Sequence, residues 1–267
     1  MRSLSDLMNM KGRVALITGG AGHLGSTMGE ALAELGATIV VLDIDSRRCE
    51  LVAKQLHETY SIESFPLAID LSNATSVSKV TGMVLERCGR LDVIVHSAAY
   101  GGDSEMQGWA VPFEQQTVEA WDKALSVNLT AAFALVKEAR TALIESGHGS
   151  VIFISSIYGV VGPDFGLYEG TAMANPAGYN ASKGGLLQLM RYLATELAPQ
   201  VRVNAISPGG VSRDYPDSFH ERYRKRTPLA RMATEEDIKG AVAYLASDLS
   251  NYVTGHNLML DGGFTAW

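Results

Sequence analysis

The chain has 267 residues, 46% hydrophobic and 19% charged, and its 22 Lys and Arg against 29 Asp and Glu leave a net charge of −7. Such a composition excludes a largely disordered chain, and the acidic balance argues against nucleic acid, whose binders carry basic stripes. Two cysteines, Cys49 and Cys88, cannot form a disulfide framework, and no apolar run approaches the roughly 20 residues that span a bilayer.

The N-terminal MRSLSDLMNMKGR has no continuous apolar stretch of the signal-peptide kind and reads as an extension over 1–11. A cytoplasmic protein with neither membrane nor nucleic acid as partner is expected. Residues 14–17 form the first short apolar run, read as a buried strand. It leads into TGGAGHLG at 18–25, where a helix begins. Gly20, Gly22 and Gly25 satisfy G-x-G-x-x-G in the strand–turn–helix context that cradles a pyrophosphate. Such a turn is too tight for a Cβ, and the helix start offers N–H donors to an anion. The helix over 24–35 sets Leu24, Met28, Ala31, Leu32 and Leu35 on one face.

The next strand, 38–42, is followed by Asp43, 18 residues after Gly25. An acidic residue at about that distance holds the ribose hydroxyls of a dinucleotide and repels a 2′-phosphate, which favours NAD over NADP. Arg47 and Arg48 argue the other way if they face that site; otherwise they are solvent-facing residues of the helix over 47–58. Further strands are expected at 65–69, 93–95, 151–154 and 201–206, and further helices at 74–87, 118–144, 179–197 and 235–246. Thr234 and the acids after it resemble a helix start. Asp70 ends the third strand, placed to meet an adenine or to cap the next helix.

Apolar strands separated by helices imply a parallel sheet covered on both faces. With right-handed crossovers the fold class is α/β: a three-layer, doubly wound Rossmann fold of about seven strands in a single domain.

Tyr179 and Lys183 open a helix at i and i+4, so a phenol and an ammonium share one face. A free tyrosine titrates near pH ~10, and a nearby ammonium favours its phenolate, which suits it to proton transfer. The pair follows ISS at 154–156 and precedes VNAISPG at 203–209. With ITGG at 17–20, VNL at 127–129, YNASK at 179–183 and LDGG at 260–263, six blocks stand in order along nearly the whole chain.

In these blocks the chain resembles the short-chain dehydrogenase/reductase family, in its short single-domain branch. The resemblance implies a catalytic tetrad of Asn128, Ser156, Tyr179 and Lys183. Tyr179 is the acid/base, and Ser156 hydrogen-bonds the reacting oxygen. Lys183 supports the phenolate and holds the nicotinamide ribose, and Asn128 supports a water in the proton relay. It also implies a cofactor held by Gly19, Gly20, Gly22, His23, Leu24 and Gly25, with Asp43, Asp70, Leu71, Ser97, Ala98, Ala99, Pro208, Gly209 and Val211 beside Tyr179 and Lys183. No metal is implied.

Three departures stand out. The family's T-G-x-x-x-G-x-G is here T-G-x-x-G-x-x-G, with His23 where a glycine is usual. Its N-N-A-G is here His96-Ser-Ala-Ala99, and His96 is read as replacing a structural asparagine. Ser156 and Tyr179 stand 23 residues apart, about twice the usual distance, which makes 164–176 an insertion. Tyr168 has nearly the usual spacing from Ser156, but Ala172 stands where its lysine would be, so it is not taken as the acid/base.

In this family the segment after the Pro-Gly block covers the substrate, here 211–232. Between Arg213 and Arg231 it holds six Lys or Arg against three acids. That excess suggests an anionic or strongly polar, carbohydrate-like substrate, as in gluconate-dehydrogenase-like members; the plain alternative is a solvated basic helix. Tyr158, Tyr168, Arg224 and Arg226 are the candidate substrate contacts. The functional expectation is an NAD(P)-dependent oxidoreductase interconverting a secondary alcohol and a ketone. Its alternatives are a sugar-nucleotide epimerase or dehydratase, suggested by the glycine spacing, and a non-catalytic cofactor sensor. The family's paired long helices, with an apolar FTAW end at 264–267, imply a homotetramer.

Overall fold

The computed structural model describes residues 1–101 and 105–267. Seven parallel strands form one sheet, ordered β3-β2-β1-β4-β5-β6-β7. They are β1 Val14–Thr18, β2 Thr38–Asp43, β3 Ser64–Ala68, β4 Val93–His96, β5 Ser150–Ile154, β6 Arg202–Pro208 and β7 Asn257–Leu260. Strands β1, β4 and β5 are buried at every position, as strands covered on both faces must be. Alternate residues feed two cores. Val14 and Leu16 of β1 pack on one face, and Ala15 and Ile17 on the other.

Nine α-helices are present among the described residues. One face carries α2 (His23–Glu34), α3 (Ser46–Tyr60) and α9 (Glu236–Ala246); the other carries α4 (Ala74–Cys88), α6 (Ala131–Glu145) and α7 (Ala177–Glu196). The helices start and stop on local chemistry. Asp45 and Asn73 accept the Arg48 and Ser76 amides at the starts of α3 and α4. Gly89, at φ 73°, ends α4 in the left-handed region. At α9 the expected Thr234 cap is turned around. Its amide and hydroxyl donate to the Asp237 carboxylate.

The single helix expected over 118–144 is two. The first, α5 (Val118–Leu125), passes through a π-helical turn, Ser126–Thr130, into α6. The Ala131 amide reaches back to the Ser126 carbonyl, so one extra residue is wound into the helix at Asn128. Three short elements lie outside the expected set: α1 (Leu4–Met8), α8 (Asp217–Arg226) and the half-buried edge strand β7. Within the N-terminal extension Met10 is fully buried and Arg2 pairs with Asp248 at 2.5 Å. No helix among the described residues is long and apolar enough to cross a membrane.

Crossovers leave β1 toward β2 on one side and toward β4 on the other, so the chain reverses between β1 and β4. Register places Thr18 beside His96, and Ile154 beside Ile206, at the carboxyl edge of the sheet. Ligands of open α/β sheets bind at such a reversal.

Candidate active site

A cleft of about 790 Å³ runs along that carboxyl edge. At one end lies the glycine turn. Gly19 has φ +64°, and a Cβ there would stand 2.9 Å from the Ala98 Cα. A Cβ on Gly25 would stand 2.0 Å from the Gly19 carbonyl oxygen, and one on Gly20 2.7 Å from the Ile17 oxygen. The backbone thus closes on itself at 19, 20 and 25. Gly22 is less constrained, its Cβ falling 3.2 Å from the Gly19 oxygen. His23 and Leu24 begin α2 and line the cleft, His23 exposed. Bare backbone before a helix start is a cradle that a pyrophosphate fits.

Asp43, at the end of β2, lines the cleft. Its carboxylate accepts the Ala21 amide at 3.2 Å and the Ile44 amide at 2.8 Å. Arg48 is more than a solvated helix residue, because its guanidinium donates to the Ala21 carbonyl at 2.8 Å. It therefore stands on the same turn as Asp43. Asp70 accepts the Ser72 amide, while Asn73 caps α4, so Asp70 closes a turn and does not cap the helix. Leu71, Ser97, Ala98, Ala99, Pro208, Gly209 and Val211 also line the cleft.

Lys183 is buried, and its ammonium donates to the Ile154 carbonyl at 2.7 Å. Burial lowers its pKa to about 8, so the ammonium persists at neutral pH. It lies 5.4 Å from the centre of the Tyr179 ring. Ser156, extended at the end of β5, accepts the Tyr158 amide on its hydroxyl at 3.1 Å. Ser156, Tyr179 and Lys183 all line the cleft. Asn128 does not. Its side chain is fully buried, accepts the Tyr100 amide at 2.8 Å and donates to the Ser182 hydroxyl at 3.0 Å. The π-helical turn aims it inward, where it ties the cleft wall to α7.

His96 is buried below the turn. The Thr18 hydroxyl oxygen takes the Ser97 and Ala98 amides, each at 3.2 Å, so its own proton goes to His96 Nδ1 at 3.0 Å. Nδ1 is then the acceptor and the proton sits on Nε2. Burial, and after it the Lys183 charge, lower the His96 pKa to about 4, so the ring is neutral. It is a structural bond between β1 and β4, as read from the sequence.

The far end of the cleft is aromatic. Tyr158, Tyr168, Tyr215, Phe219 and Tyr223 line it, with Asn175, Met232 and Arg213. Helix α8 turns Phe219 and Tyr223 inward, and Tyr223 stacks on Phe264 with ring centres 4.9 Å apart. The basic residues of α8 face elsewhere. Arg224 is exposed and does not line the cleft, and Arg226 pairs with Asp164 of the insertion at 3.3 Å. Arg222 donates to the Leu167 and Glu169 carbonyls. The expected contact of Arg224 and Arg226 with a substrate is thus corrected: Arg222 and Arg226 brace the insertion, Arg224 is exposed away from the cleft, and the α8 aromatics face the cleft. The signal was present in the sequence, since Phe219 and Tyr223 stand four apart, one helical face.

A family model described as enoyl-(acyl carrier protein) reductase matches residues 20–265. The sorbose reductase sou1 of Schizosaccharomyces pombe is 30% identical over 98% of this chain and 99% of its own. The chain belongs to the short-chain dehydrogenase/reductase family. The 3-oxoacyl-(acyl-carrier-protein) reductase FabG of Rickettsia typhi is 31% identical over 96% of this chain and 98% of its own. Among solved family structures, a gluconate 5-dehydrogenase from Burkholderia cenocepacia J2315 in complex with NADP and tartrate superposes with a TM-score of 0.88. It is 25% identical, covering 99% of this chain and 100% of its own. An NAD⁺-bound xylitol dehydrogenase superposes at 0.83, 26% identical over 95% and 99%. The protein is therefore an oxidoreductase acting on CH–OH groups, with a fold that binds a nicotinamide dinucleotide in such relatives.

Proposed function

We propose that the protein interconverts a secondary alcohol and a ketone on a polar, carbohydrate-like substrate, with NAD in preference to NADP. The observation that carries this reading is the convergence of Ser156, Tyr179 and Lys183 on the cleft that also holds the glycine turn. The nicotinamide, when bound, accepts or delivers the hydride. The protein's own groups handle the proton and the orientation. Tyr179 exchanges a proton with the carbinol oxygen, and the Ser156 hydroxyl hydrogen-bonds that oxygen. The Lys183 ammonium stabilises the phenolate and holds the nicotinamide ribose. Asn128 is a positioning residue, since its side chain reaches the site only through Tyr100 and Ser182. Gly19, Gly20 and Gly25 let the backbone close tightly on itself to form the pyrophosphate turn, with Gly22, His23 and Leu24 at the helix start. Asp70 and Leu71 flank the adenine side, Ser97–Ala99 and 208–211 the nicotinamide side.

Asp43 supports NAD, because a carboxylate repels a 2′-phosphate; Arg48, on the same turn, is the group that an NADP preference would use. Sorbose, gluconate and xylitol in the names of relatives support a carbohydrate-like substrate. Segment 211–232 is proposed as the substrate cover, and the protein as a cytoplasmic homotetramer. The test is a screen of polyols, ketoses and 3-oxoacyl thioesters with each cofactor, read at the reduced-nicotinamide absorbance band. Turnover of polyols or ketoses with NAD supports the reading. Turnover of thioesters alone, or of nothing while cofactor binds, refutes it.

A further inference from the structure

The wall of the cleft beyond Tyr179 carries one directed chain of hydrogen bonds. The Pro176 carbonyl can only accept, so Asn180 turns its Nδ2 toward it, at 2.8 Å. The same Nδ2 donates to Asn175 Oδ1. Asn175 is thereby fixed with Nδ2 toward Tyr168, whose phenol oxygen accepts at 3.0 Å. The Tyr168 and Tyr158 phenol oxygens stand 2.8 Å apart. Two phenol protons are present and one joins the pair. The other has no acceptor among the described residues, whichever tyrosine holds it. Both tyrosines line the cleft, and burial, with Tyr168 next, holds the Tyr158 phenol far above its ordinary pKa. The wall therefore offers a neutral O–H donor to whatever lies beside Tyr179.

Among its described residues, this end carries no spare positive charge. Arg213 lines the cleft, but its guanidinium is held by Glu235 at 2.5 Å and the Ser212 carbonyl at 2.7 Å, and Asp214 lines the cleft beside it. A carboxylate or phosphate would find no uncommitted cation among the described residues of this wall.

Resting on the oxidoreductase reading above, we infer that Tyr158 and Tyr168, oriented by Asn175 and Asn180, are specificity-determining residues that select a neutral polyhydroxylated substrate by donating to an oxygen near its reacting carbon. This narrows the substrate class from anionic or polar to neutral and hydroxylated. It assigns the insertion 164–176 the task of supplying Tyr168 and Asn175.

The test measures binding to the cofactor-saturated protein by calorimetry, with three four-carbon probes: threitol, tartrate and 2-butanol. Threitol is expected to bind at least tenfold more tightly than tartrate or 2-butanol. The double variant Tyr158→Phe/Tyr168→Phe is used because either phenol alone would keep a proton to donate. It should weaken threitol about tenfold, the loss of roughly one hydrogen bond to a neutral group, and weaken 2-butanol far less. Tighter binding of tartrate, absence of threitol binding, or an unchanged threitol affinity in the double variant overturns the inference. The wild-type order of threitol and tartrate decides it even if the double variant fails to fold. Binding needs no turnover, so the two readings fail separately. Threitol selectivity without cofactor reduction would sink the oxidoreductase reading and keep the wall, and ketone turnover without threitol selectivity would do the reverse.

Discussion

Tyr179 is the proposed proton carrier in preference to Tyr168, although Tyr168 has nearly the family's spacing from Ser156. Their side-chain surroundings support that choice. Lys183 lies 5.4 Å from the Tyr179 ring, whereas Tyr168 is hydrogen-bonded to Tyr158 and Asn175. Tyr179→Phe should lower turnover by about 10²–10⁴-fold with cofactor affinity retained. Tyr168→Phe should cost far less, and steady-state kinetics on the two variants checks the order. His96 makes a second prediction. Its pKa falls from 6.5 unfolded to about 4 folded. Below pH 6.5 the unfolded chain takes up a proton that the native ring refuses, so this contribution is complete above pH 6.5 and is lost as pH falls toward 4. Between pH 7 and pH 5 the loss is about 2 kcal/mol. His96→Asn, which restores the asparagine usual in the family, should lose that much less stability over this interval. Urea unfolding at both pH values measures it; equal losses would refute the neutral ring.

At the scale of elements, the glycine turn and the β2 end are the proposed determinants of cofactor choice. Gly25→Ala should abolish cofactor binding, because its Cβ would lie 2.0 Å from the Gly19 oxygen, while Gly22→Ala should change affinity only a few-fold. Fluorescence titration separates them. The same titration with Asp43→Ser should shift preference toward NADP by at least tenfold, about 1.4 kcal/mol, with Arg48 left as the phosphate ligand. An unchanged preference would show that Asp43 does not discriminate. The elements themselves were largely legible. Six strands announce themselves as apolar runs, five of them buried and β3 half-buried at an edge, and the helices by their faces. The rest was hidden for physical reasons. β7 is a half-buried edge strand with a weak apolar signal. The π-helical turn at Asn128 costs one residue of phase and leaves the apolar pattern of α5 and α6 intact. On α8 counting charge misled: the sum is basic, but Arg222 and Arg226 face the insertion and Phe219 and Tyr223 face the cleft. Faces, not sums, decide what a helix presents.

At the scale of the molecule, the sheet reversal between β1 and β4 brings a turn near residue 20 and a helix near residue 180 onto one cleft. That convergence was legible as an ordered set of motifs, but the role proposed for the insertion was not, because it depends on partners far along the chain. The proposed tetramer has two surface motives. Trp121, Phe133 and Tyr192 are exposed on α5, α6 and α7. Of the apolar end, Phe264 is buried against Tyr223 in its own chain, while Trp267 remains 70% exposed with its indole nitrogen on the Arg226 carbonyl. Only Trp267 therefore keeps a claim on another subunit. Light scattering at micromolar concentration should give four times 28.6 kDa, and a monomer mass would refute the assembly.

The proposed reaction is direct hydride exchange between a nicotinamide and a carbinol carbon in the cleft that holds Tyr179. Deuteride-labelled reduced cofactor, incubated with the protein and a neutral ketose, tests it by mass spectrometry of the product. One deuterium is expected on the new carbinol carbon, formed at a rate that collapses in Tyr179→Phe. Unlabelled product, or labelling that persists at the wild-type rate in that variant, would contradict it.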